Sequence, residues 1–131
     1  MMRRTVSMRR LQTFWTIRPE MSEASMQRGE IYRVNKPGGD PKRHRLFVVV
    51  SRQVLIDSRF STVICAPVFS NGQALATQVA IGPDEGIKHA SWIMCDNLVS
   101  MRKAELSHYV SQLPLAKIAE LNRALRMALS L

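Results

Sequence analysis

The sequence predicts a mainly β domain closed by one C-terminal α-helix, the composition of a small barrel. Three observations predict it. Short β-branched and aromatic runs recur along the chain, separated by clusters of turn residues. The period of the apolar residues changes from two or continuous to helical only in the last stretch. The chain has 131 residues, 46% of them hydrophobic, enough for one domain with a real core.

The elements follow in order. Glu30-Ile31-Tyr32-Arg33-Val34 alternates polar and apolar residues, as a half-buried strand does. Asn35 to Pro41 is dense in turn residues and reads as a loop. Leu46 to Val50 and Ser61 to Val68 are continuous apolar runs that suit strands buried on both faces. The second run stops near Phe69-Ser70-Asn71-Gly72, where Asn71-Gly72 is a strong turn signal. Thr77 to Ile81, Ser91 to Cys95 and Glu105 to Val110 complete the strands. Leu115, Ile118, Leu121, Leu125 and Leu129 then recur at helical spacing. Pro114 is expected at the first helical position, with Leu113 as an N-cap that cannot accept a capping hydrogen bond. Lys117, Glu120, Arg123 and Arg126 give this helix a polar face, and its apolar face is expected to cover the sheet or to meet a partner. Many short strands with one packing helix suggest a barrel.

Residues 1–25 do not share this pattern. They carry five Arg and two Glu with no clean period, and read as a basic extension, either a disordered tail or a start assigned too far upstream. The globular domain is expected over 26–131. Formal net charge is +9, and the domain without its extension still has 14 Lys and Arg against 8 Asp and Glu. That balance favours an anionic partner, nucleic acid first. Cys65 and Cys95 sit in apolar runs without CxxC spacing, which disfavours zinc and suits two reduced core thiols. There is no apolar stretch of transmembrane length and no secretory h-region, so the cytoplasm is the expected compartment.

The densest cluster with chemical potential is Lys42-Arg43-His44-Arg45, at the start of a buried strand. Arginine can hold phosphate through two hydrogen bonds and neutralise charge developing on phosphorus, and His44 can move a proton near neutral pH. The same run also fits an exposed basic loop. Ser70 and Asn71 follow the second buried strand and can serve either a phosphate or a turn. Asp96 and Asn97 follow the strand ending at Cys95; Asp96 can accept a proton, orient an arginine or open a turn. His89 and His108 read as a loop and a strand residue. P-loop, HExxH, GxSxG and GxGxxG motifs are absent, and the carboxylates are too scattered for a two-metal nuclease. What these residues suit is metal-free phosphodiester chemistry on RNA, which supplies its own 2′-OH nucleophile.

Four blocks in order resemble the MazF/PemK family of bacterial toxin endoribonucleases. Arg28-Gly29-Glu30-Ile31-Tyr32 resembles the family's first strand. Gly38-Gly39 with Arg45 and Phe47 to Ser51 resembles its Gly-Gly-x-Arg-Pro-Val-x-Val-x-Ser region. Thr62 to Pro67 with Ser70-Asn71 resembles the third block, and Cys95-Asp96-Asn97 the Cys-Asp-Gln block. The resemblance covers 27–131. It implies an SH3-like barrel, commonly a homodimer, that cleaves single-stranded RNA at short sequences without metal or cofactor. The products are a 2′,3′-cyclic phosphate and a 5′-OH, and a cognate antitoxin covers the groove. Arg45 matches the family's catalytic arginine, with His44, Ser70 and Asp96 as supporting catalytic candidates. Lys42, Arg43, Phe69, Asn71 and Asn97 are the expected RNA contacts. The chain departs from the family where the catalytic threonine falls on Phe69, where proline after the arginine is Leu46, and where Arg-Thr after the third block's successor is Val99-Ser100. Phe69 can instead stack on a base. A second expectation therefore stands beside the first: a non-catalytic growth-inhibiting or nucleic-acid-binding protein on the same barrel, either poisoning a protein target as CcdB-like relatives do or binding RNA in a degenerate way.

Overall fold

The computed structural model describes residues 25–35 and 44–131. Lys42, Arg43, the Gly38-Gly39 pair and nearly all of the basic extension lie outside the described residues. Seven antiparallel strands form one curled sheet, a half-barrel: β1 Glu30–Asn35, β2 His44–Val49, β3 Thr62–Phe69, β4 Gln78–Ile81, β5 Ser91–Met94, β6 Val99–Arg102 and β7 His108–Gln112. Helix α1 spans Gln53–Asp57 and helix α2 spans Leu115–Leu129. The strand order is β4-β5-β3-β2-β1-β7, with β6 paired to β3 as well.

β3 is the spine. On one edge it pairs with β2, Leu46 opposite Val68 and Val49 opposite Cys65. On the other edge its first half pairs with β6 and its last two residues with β5. β5 and β6 thus lie end to end along β3, separated by a 3₁₀ turn over Cys95–Asn97. Side chains alternate across this sheet and fill a core on each face. One core holds Ile31, Val48, Ala66, Val68, Ile93 and the helix residues Leu121 and Ala124. The other holds Tyr32, Val49, Val63, Cys65, Ile56 of α1 and Leu106. Cys65 and Cys95 are free and buried, as expected. Burial pushes their thiols up to about 12 and about 11, with the neighbouring Asp96 charge adding to the second.

The first block fastens the chain to this sheet. The buried Gly29 has φ +90, and a Cβ there would lie 2.6 Å from Ile118 Cδ1 of α2, so only glycine fits. Arg28 donates from Nε to the Val50 carbonyl at 3.0 Å, and its N–H donates to Gln53 Oε1 at 2.9 Å. Burial lowers the guanidinium's pKa. Glu30 Oε1 accepts from the Gln27 N–H and the Tyr32 hydroxyl, both at 2.8 Å. The buried Ser51 hydroxyl accepts the Ile64 N–H at 2.7 Å. These polar groups are spent on the fold.

Several expectations need correcting. The strand expected over 105–110 runs from 108 to 112, preceded by a 3₁₀ turn over Lys103–Glu105. The short elements α1 and β6 carry too few residues to display a period and were not expected. Asn71-Gly72 makes no tight hairpin, because β4 pairs with β5 and not with β3. Gly72 instead lies flat against the Trp92 indole, where any Cβ would collide with the ring. Pro114 is the N-cap, in extended conformation, and Leu113 is buried in the core. Leu115, expected on the covered face of α2, is 86% exposed, and Leu129 is also exposed. The helix covers the sheet through Ile118, Leu121, Ala124, Leu125 and Ala128.

Candidate nucleic-acid interface

One end of the sheet carries Arg45. The β2 register continued by one residue sets Arg45 beside Phe69, and Phe69 pairs with Trp92, which pairs with Ala80. Arg45, Phe69 and Trp92 therefore form a row across β2, β3 and β5 on one face. The Arg45 guanidinium lies over the Phe69 ring, 5.0 Å from its centroid. Such a contact contributes about 0.5–1 kcal/mol at an exposed site and holds the cation in place. Arg45 is exposed, and among the described residues no carboxylate pairs with it. Its charge is available to an anionic ligand.

Ser70 follows Phe69 directly, and alternation turns it to the opposite face. There it lines a cavity of about 480 Å³ together with Arg33 of β1, Leu46 of β2 and the loop residues Lys88 and His89. The register shift between Ile31 and Tyr32 leaves Val110 of β7 unpaired, and Val110 contributes to the apolar wall of the same cavity. Gly86, in left-handed conformation at φ +84, turns the loop, and Ser111 Oγ ties it down by donating to the Glu85 carbonyl at 2.6 Å. Arg45 and Ser70 thus flank one rim from opposite faces of the sheet.

Asp96 and Asn97 are elsewhere. They sit in the 3₁₀ turn four and five residues beyond Trp92, past the far end of β5. Asp96 Oδ2 accepts the Thr77 hydroxyl at 2.6 Å, and the Cys95 N–H donates to the Thr77 carbonyl at 3.0 Å. The Asp96 carboxylate joins the start of β4 to the break between β5 and β6. His44 opens β2 opposite Asn35. Asn71 is exposed at the rim beside Ser70. The structure brings together Arg45, Phe69, Ser70 and Asn71 at one end of β5, and leaves Asp96 and Asn97 beyond its other end, beside the middle of β3. Sequence reading did not single out Arg33, Lys88 or Trp92. Arg33 lies between Tyr32 and Val34 like any polar strand residue, and its sharing of a cavity with Lys88 and Val110 involves a pairing of β1 with β7 that no local pattern reveals.

The fold and this geometry can be set against known proteins. The sequence profile of the PemK-like, MazF-like toxin of type II toxin-antitoxin systems matches residues 27–129. Among solved structures, an endoribonuclease from a mycobacterial species is 23% identical, with TM-score 0.68, over 82% of this chain and 93% of that one. A mycobacterial endoribonuclease in complex with its cognate antitoxin is 24% identical, with TM-score 0.70, over 82% of this chain and 97% of that one. MazE-MazF from Deinococcus radiodurans is 18% identical, with TM-score 0.65, over 82% of this chain and 97% of that one. At these identities the likeness establishes a shared fold. No curated protein matches the chain.

Proposed function

Because the chain belongs to the PemK-like, MazF-like toxins of type II toxin-antitoxin systems, we propose that it is a metal-independent endoribonuclease that cuts single-stranded RNA at short sequences, with Arg45 as its principal catalytic residue. The observation that carries this reading is the exposed Arg45 guanidinium, held over Phe69 at the cationic rim of the sheet with no described carboxylate to neutralise it. In the reaction the RNA 2′-oxygen attacks the adjacent phosphorus and loses its proton. The P–O5′ bond breaks, and the 5′-oxygen gains a proton, leaving a 2′,3′-cyclic phosphate and a 5′-OH. Arg45 stabilises the charge that builds on the non-bridging oxygens; a guanidinium is essentially never deprotonated, so it does this as a fixed cation. Phe69 stands beside Arg45 where the family places a threonine, and offers a ring face on which a base can stack. Ser70 and Asn71 supply polar groups at the same rim, and His44 is the first residue of β2. Asp96, bound to Thr77 at the far end, serves the turn.

Inhibition falls to a cognate antitoxin, as the complexes of structural neighbours with theirs suggest. The exposed Leu115, Met127 and Leu129 of α2 offer apolar surface for that partner or for a second copy in a homodimer. Among the described residues no helix is long and apolar enough to cross a membrane, which accords with action on RNA in the cytoplasm. One observation favours a second reading: Phe69 removes the family's hydroxyl next to Arg45, so RNA binding without turnover is the outcome if that hydroxyl is required. Incubating the full chain with a long single-stranded RNA in EDTA and mapping the 5′ ends by primer extension decides between them. Discrete cuts with 5′-OH ends are expected; bound but uncut RNA would establish the second reading.

A further inference from the structure

The cavity behind the rim has a chemistry of its own. Its cationic groups are Arg33 and Lys88, which approach from β1 and from the loop before β5, and His89 and Ser70 add polar atoms at its edge. None of its lining residues is a carboxylate. Leu46 and Val110 give it an apolar wall. At about 480 Å³ it is within the size range of small-ligand pockets, about 300–1,000 Å³. Arg33 and Lys88 are both exposed, so neither is consumed by the core, and among the described residues neither forms an ion pair. Two unpaired cations above an apolar wall suit one ligand class, a nucleotide: phosphate on the cations, ribose or base against the wall.

Its place in the fold defines its relation to Arg45. Phe69 and Ser70 are successive residues, yet Phe69 touches Arg45 on one face and Ser70 lines the cavity on the other. A polynucleotide lying over the rim at Ser70-Asn71 meets both. We propose that the cavity is a phosphate-binding subsite for a nucleotide flanking the scissile one, reached by the RNA strand as it crosses the end of β3, with Arg33 and Lys88 as its binding residues. The proposal rests on the endoribonuclease reading for the identity of the ligand. It adds a second point of attachment that orients the strand over Arg45.

The test uses the full chain carrying Arg45→Ala, so that RNA stays intact, and a single-stranded RNA of mixed sequence as probe. Affinity is measured against salt with and without Arg33→Gln and Lys88→Ala together. The pair Arg123→Gln and Arg126→Gln, on the exposed face of α2, removes the same charge away from the rim. Losing one phosphate contact should lower the slope of log affinity against log salt by about 0.7 and weaken binding about 3- to 10-fold at low salt. The helix pair should have less than half that effect. Inorganic phosphate, followed by amide NMR of the otherwise wild-type chain, should shift Ile87 to Ser91, and the Arg33→Gln/Lys88→Ala pair should abolish the shift. Equal losses from both pairs, or unmoved amides at Ile87 to Ser91, would overturn the proposal. Phosphate shifts at these amides in a chain that binds RNA without cutting it would uphold the subsite while the nuclease reading fails. Cleavage by the wild type with unshifted amides would do the reverse.

Discussion

The two ends of β5 carry similar raw material and use it differently. At one end stand Arg45, Phe69 and Ser70; at the other stand Cys95, Asp96 and Thr77. Both ends combine a charged group with polar neighbours in a block that resembles a toxin motif. Asp96 Oδ2 accepts the Thr77 hydroxyl at 2.6 Å, a bond that ties the start of β4 to the turn after β5. Arg45 has an aromatic ring beneath it and no described carboxylate partner. A charged group satisfied by the fold contributes stability, whereas one held in place but unsatisfied is available to a ligand. The same contrast separates Arg28, tied to Val50 and lowered in pKa by burial, from Arg45.

This comparison can be broken by substitution, and the largest effect belongs to Arg45. Arg45→Ala should reduce RNA cleavage by about 10²–10³-fold with an unchanged circular dichroism spectrum, the scale seen when one charge-stabilising donor is lost. Leu121→Ala should do the opposite. It opens the fully buried contact of α2 with the sheet, costs about 2–5 kcal/mol in urea unfolding, and leaves the activity of the molecules still folded intact. Phe69→Ala should weaken RNA binding by about 1–3 kcal/mol, read by fluorescence anisotropy, if the ring stacks on a base. Phe69→Thr sharpens this result: weaker binding with faster turnover would show that the chain has traded a hydroxyl for a stacking surface. Asp96→Asn should cost only about 0.5–1.5 kcal/mol of stability, by weakening the Thr77 bond, and should leave kcat within about twofold; a large fall in kcat would move Asp96 into the catalytic set.

The last prediction concerns pH and is silent near neutrality. Burial pushes Cys65 up to about 12 and Cys95 up to about 11, against 9.0 for a free thiol. Burial, with the hydrogen bond to Glu30, raises the Tyr32 phenol too. Above pH 9 the unfolded chain therefore loses protons that the folded chain keeps. Stability is full below about pH 9 and declines as pH climbs through 9 towards 11–12. Melting temperature against pH checks this. Thiol reagents should label both cysteines in denaturant and neither in the folded protein at pH 7.5.

Much of the fold was legible because it depends on local pattern. The continuous runs around Val48 and Cys65 and the helical spacing through Ile118 and Leu121 each announce their own burial. What failed depends on pairing between distant segments. Gly72 reads as a turn residue until Trp92 of β5 is seen lying against it. Leu115 fits the apolar spacing of α2, yet the structure leaves it 86% exposed. The candidate site divides in the same way. Arg45 stood out from its basic cluster and its resemblance to a family motif, and the structure sets it beside Phe69 as the register of β2 and β3 requires. Arg33 and Lys88 are far apart in the chain and meet only because β1 pairs with β7 and the loop before β5 folds back. Asp96 and Ser70 have equal claims in sequence, and only the break between β5 and β6 and strand alternation place one beside the middle of β3 and the other behind the rim.

The central claim is that catalytic charge resides at the Arg45 end and structural charge at the Asp96 end. Side-by-side cleavage of a long single-stranded RNA in EDTA by the wild type, Arg45→Ala and Asp96→Asn tests it most directly. The account predicts identical cut sites for wild type and Asp96→Asn, with comparable rates, and cutting slowed about 10²–10³-fold in a folded Arg45→Ala protein. Cutting at the wild-type rate in Arg45→Ala, or cutting that disappears with Asp96→Asn while the fold persists, would contradict it.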